Sequence, residues 1–70
     1  MRFSRHAKNE MRLYEISPAD VEYAVVRTTR EGVDDHGNPH LTGLDSGGRA
    51  IIVVIADDDR DFVITTFPDD

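Results

Sequence analysis

The sequence predicts an α+β domain in the order ααββββ, two N-terminal helices packed on one face of a four-stranded antiparallel β-meander. Three observations predict it. Apolar residues recur at helical spacing through the first 30 residues, and clusters of turn formers divide the remainder into short runs. One of those runs, "RAIIVVIA", is apolar almost throughout.

The first helix is expected over about 5–14. Ser4 is an N-cap type, and Ala7, Met11 and Tyr14 follow along one stripe. The second is expected over about 18–30, and its start signal is stronger. Ser17 caps, Pro18 takes the first helical position, and Asp20 stands three after the cap, where a carboxylate meets free backbone N–H groups. Ile16 and Val21 occupy the two positions of a hydrophobic staple, and Gly32 is placed to end the helix.

Strands follow at about 31–35, 40–45, 49–56 and 61–67. The turns between them are "HGNP", "SGG" and "DDDRD". Short turns force antiparallel pairing. In the central strand Ile51, Val53 and Ile55 point one way and Ile52, Val54 and Ala56 the other. Two short helices cover one side only. Ile52 and Val54 are therefore expected to meet a second copy of the chain or a small protein partner, unless the sheet curls over them. Burying about 200 Å² of such surface supplies on the order of 5 kcal/mol.

Seventy residues make one domain, near the lower limit for folding without disulfides or metals, and the chain has no cysteine. No run approaches the roughly 18 apolar residues of a membrane span. The start "MRFSRHAKNE" lacks the apolar core of an export signal, so a cytoplasmic location is expected, without membrane contact. The charge is −6 and uneven. Residues 1–30 carry six Arg or Lys against four acids, and residues 31–70 carry two against ten. That balance argues against diffuse attraction to nucleic acid while leaving room for a small basic face on the helical half.

Three clusters invite a chemical reading. His36 and His40 have metal-like spacing, but Gly37, Asn38 and Pro39 between them make a turn and no third ligand is identified, so no metal site or cofactor is assigned. Asp57, Asp59 and Asp61 open like a calcium loop. Phe62 and Pro68 then occupy the positions that need Gly and Glu, which excludes an EF-hand. Charges there guard strand ends against edge pairing. His6 is the best catalytic candidate. With an imidazole for proton transfer, Arg49 or Arg12 for phosphate, and Thr65 or Thr66 for positioning, the chain holds a minimal metal-free set for phosphodiester cleavage. The plainer account makes His6 a surface residue held by Glu10, four positions on.

"SRHA", "EISPADVEYAV", "DDHGNPHLTG", "GGRAIIVVIA" and "FVITTF", in this order, resemble the bacterial Domain of Unknown Function 4258 family. The likeness runs from about Phe3 to Pro68. That family is similar in layout to the RelE/BrnT-type toxins of toxin–antitoxin systems. The resemblance implies a RelE-like domain and points to His6, Arg49 and Thr65 or Thr66 as the polar positions. Members often carry Arg where Glu10 stands and Arg-Gly where Tyr14 and Glu15 stand, so carboxylates replace positive charge here. Two functions are expected from this reading. One is a toxin-like, metal-independent ribonuclease, with His6 as general acid or base at the ribose 2′-hydroxyl, Arg49 stabilising the phosphorane, a threonine orienting the phosphate, and an antitoxin-like partner. The other is a non-catalytic protein-binding or dimerisation module. The sequence leaves open whether the protein is an enzyme.

Overall fold

The computed structural model describes residues 1–70 and carries seven elements. They are β1 (Arg2–Phe3), α1 (Arg5–Tyr14), α2 (Pro18–Val26), β2 (Thr28–Val33), β3 (Pro39–Leu44), β4 (Ala50–Ala56) and β5 (Asp59–Pro68). The sheet has five strands in the order β1-β5-β4-β3-β2. The expected four-stranded antiparallel meander is thus incorrect. β1 pairs parallel with β5, Arg2 opposite Phe62 and Phe3 opposite Val63, which makes the sheet mixed.

The extra strand arises from how the chain enters α1. Ser4 caps that helix by accepting from the Ala7 N–H (2.9 Å). The same residue donates its own N–H to the Val63 carbonyl (2.9 Å) and its hydroxyl to the Ile64 carbonyl (2.5 Å). Arg2 pairs with Asp59, and the terminal ammonium lies 3.7 Å from Asp61. Two residues held this way form a strand too short for side-chain alternation to reveal.

α2 begins as its residues dictate. Ser17 accepts from the Asp20 N–H (3.0 Å) and donates its own N–H to the Asp20 carboxylate (3.0 Å), a complete capping box. Its end lies at Val26 rather than near residue 30. The Thr28 hydroxyl donates to the Val25 carbonyl (2.7 Å), and the β-branched pair Thr28–Thr29 turns extended at once. Gly32 is not a helix stop; it lies within β2, opposite His40.

Both helices cover the same sheet face. Ala7, Met11, Ile16, Val21 and Ala24 pack on Leu41, Ile51, Val53, Ile55 and Val63. α2 approaches so closely that a Cβ on Gly43 would stand 2.1 Å from the Ala24 carbonyl oxygen. The second face is largely closed by the chain itself. Val54 is only 4 % exposed, between its cross-strand neighbours His40 and Thr65, and Ile52 is half-buried between Thr42 and Phe67. Register shifts at Val54–Ile55–Ala56 distort the β4–β5 ladder, as bulges do when they bend and twist a sheet.

Candidate functional site

Each end of α1 carries one of the polar residues singled out in the sequence. His6 lies in its first turn on the exposed side. At the other end Glu15 closes the helix in the left-handed region (φ 56°, ψ 47°), and the Ile16 N–H donates to the Met11 carbonyl (2.8 Å). Arg49 reaches in from the start of β4. Its guanidinium donates to the Tyr14 carbonyl (3.0 Å) and the Glu15 carbonyl (3.5 Å), and its Nε to Asp45 (3.2 Å). A cation at the last carbonyls of a helix meets the negative end of its dipole, so Arg49 closes α1. Asp45, 5 % exposed, accepts from the Gly47 and Arg49 N–H groups as well, which fixes the "DSGGR" turn.

These positions keep the proposed catalytic set apart. His6 and the Arg49 head group are separated by most of α1, about 12 Å at roughly 1.5 Å per residue. Thr66 is fully buried, and its hydroxyl donates to the Ile52 carbonyl (2.7 Å), a bond that ties β5 to β4. Thr65 is opposite Val54, on the sheet face away from the helices, so the sheet stands between it and His6. Arg12 is exposed on α1 without a carboxylate partner. Val54, expected at a partner interface, is covered within the single chain, and Ile52 remains half-buried beside it.

The other clusters also have structural work. Asp34 accepts from the His36 and Asn38 N–H groups (2.9 and 2.8 Å), and these bonds, that from Asn38 foremost, hold its carboxyl below the usual range. His36 lies in this turn and His40 on β3, and no three His, Asp or Glu side chains gather as metal ligands. The Arg2 guanidinium likewise holds the Asp59 carboxyl low.

Two surface hollows have no counterpart in the sequence reading. On the second sheet face Arg30, Glu31, Gly32, His40, Thr42, Ile52 and Asp69 line a cleft of about 330 Å³, with Arg30 3.8 Å from Asp69. Along α2, Ala19, Glu22, Tyr23, Val26 and Arg27 line a more apolar one of about 470 Å³, where the Arg27 guanidinium stacks 4.2 Å from the Tyr23 ring centroid. Val26 beside it is 84 % exposed. Only the spacing of Ala19, Tyr23 and Val26 on one helical flank hinted at the second, and that spacing equally describes a core stripe.

A family model described as Domain of unknown function (DUF4258) matches residues 3–68. No curated protein and no solved structure matches the chain.

Proposed function

We propose, from the premise that the chain belongs to the Domain of unknown function (DUF4258) family, that it is a non-catalytic protein-binding module. One observation carries this reading. Arg49, the cation a nuclease mechanism would aim at phosphate, commits three of its five guanidinium N–H groups to the Tyr14 and Glu15 carbonyls and to Asp45. Releasing it would leave the end of α1 without its cap and Asp45 without its cation. Large apolar side chains reach solvent on both helices, Val26 at 84 % and Leu13 at 67 % exposure, as Val33 does on β2 at 71 %. On α2, Val26 adjoins Ala19 and Tyr23 in one apolar hollow, and contiguous exposed apolar surface of this kind marks an interaction site.

The rival reading is the RelE/BrnT-type ribonuclease, with His6 as its acid or base. One experiment separates them. A photo-crosslinking amino acid is placed at Val26, or at Asp58 as control, and the protein is expressed in cells while total RNA integrity is followed. The binding reading expects a discrete protein adduct at Val26, none at Asp58, and intact RNA. RNA degradation that His6→Ala abolishes without unfolding the protein would overturn it.

A further inference from the structure

We infer that the exposed face of α1 is a docking site for a short acidic segment of a partner protein, one carrying an apolar side chain among its carboxylates. This inference rests on the protein-binding reading and names the chemistry of the partner. Arg5, Lys8 and Arg12 recur at i, i+3 and i+7, and His6, Asn9 and Leu13 form the adjacent stripe with the same spacing. All six are exposed. None of the three cations has a carboxylate oxygen within 4.0 Å, whereas Arg2, Arg30 and Arg49 are each paired with Asp and Arg27 is stacked on Tyr23. Arg60 is unpaired as well, but it sits among Asp57, Asp58, Asp59 and Asp61.

Arg12 lies in the last turn, where a cation suits the helix dipole, but the other two cations work against the helix they sit on. Arg5 occupies the first helical position and Lys8 follows within a turn, while no acidic residue stands in that first turn. Cations there oppose the helix dipole, and Arg5–Lys8 and Lys8–Arg12 repel as like charges three and four apart. Local rules broken without compensation inside the chain mark a surface shaped by something outside it. A carboxylate-bearing ligand relieves both conflicts at once.

The size of the patch favours a short segment over a nucleic acid strand. From Arg5 to Arg12 the stripe runs about 10 Å. The remaining surface is acidic, residues 31–70 carrying ten acids against two basic residues. At a screening length of about 8 Å, a polyanion extending past α1 enters that repulsive field, and a short peptide does not. Leu13, 67 % exposed at the end of the patch, supplies the apolar contact that a peptide side chain can cover.

The test uses three probes in fluorescence anisotropy with the full chain: a helical peptide bearing Glu at helical spacing and one Leu, its Glu→Gln counterpart, and a single-stranded RNA of similar length. The Glu peptide is expected to bind and the Gln peptide to bind at least tenfold more weakly. Lys8→Glu with Arg12→Glu is expected to weaken the Glu peptide about tenfold or more. Leu13→Ser should weaken it several-fold. These residues are exposed, so circular dichroism of each variant is expected to match wild type. Equal binding of the Gln peptide, no effect of the double reversal, or tighter binding of the RNA overturns the inference. So does self-association that the Glu peptide cannot displace. A silent peptide with a Val26-specific adduct and intact RNA sinks only the α1 assignment, whereas RNA cleavage sinks the protein-binding reading itself.

Discussion

Replacing Gly43 by Ala inserts one methyl group where α2 crosses β3. That carbon would stand 2.1 Å from the Ala24 carbonyl oxygen, 2.8 Å from its carbon and 3.1 Å from the Arg27 carbonyl oxygen. All three are backbone atoms, so no side chain can swing aside. Restoring an ordinary contact of about 3.5 Å to the nearest atom needs about 1.4 Å of separation between helix and sheet. Val21 and Ala24, both essentially buried, would lose contact with Leu41 and Ile51 in that movement. Overpacking typically destabilises by about 1–3 kcal/mol, and a rigid backbone clash belongs at or beyond the top of that range. A domain of this length holds about 4–10 kcal/mol in total. Thermal unfolding followed by circular dichroism is therefore expected to show a midpoint about 12–24 °C lower. Gly32→Ala is the control, since a Cβ there meets nothing within 4 Å, and it should stay within about 0.5 kcal/mol of wild type. A Gly43→Ala protein as stable as Gly32→Ala would refute the close helix–sheet approach.

Three further outcomes follow from the ends of the helices. Glu15→Gly should raise stability by about 0.5–1 kcal/mol in urea unfolding, because Glu15 holds φ 56° and glycine adopts that region without a Cβ penalty. Arg49→Met should lower stability by about 1–2 kcal/mol, and the Tyr14–Ile16 amides should lose hydrogen-exchange protection selectively. A hydrogen bond from the Ser46 hydroxyl, aided by the Ser17 N–H, lowers the Asp20 carboxyl from 3.8 to about 2. A carboxyl whose folded value is depressed contributes stability that is complete above its unfolded value and lost as pH falls through the folded one. Ser46→Ala is accordingly expected to be less stable than wild type at neutral pH, with the gap closing between about pH 4 and pH 2; a gap unchanged at pH 2 would count against the bond.

What could be read from the residues was local. Ser17, Pro18 and Asp20 act within one turn, so the start of α2 was visible, as was β4 from its unbroken apolar run. The end of α2 was misplaced because Gly32 looked like a terminator, while the β-branched Thr28 and Thr29 had already ended the helix. β1 was invisible because its partner lies 60 residues along the chain and only two residues take part. The role of Arg49 was hidden for the same reason, its carbonyl partners being 34 and 35 positions away. A guanidinium suits a phosphate and the last carbonyls of a helix equally well, and only the contact distinguishes the two. The polar residues could be named from the sequence, but not the backbone partners that Arg49 and Thr66 meet.

The parallel pairing of β1 with β5 has a consequence for assembly on the ribosome. β1 finds its seat only once β5, 60 residues later in the chain, has been made, and α1, which rests mostly on β5, must wait with it. Until residues 59–68 clear the exit tunnel, Ala7 and Met11 have no floor, and only the β2–β3–β4 ladder with α2 across it can form ahead of them. The domain therefore closes in one late step, like a clasp, and a nascent chain stalled before Asp59 would display the oily side of α1 to whatever chaperone is near.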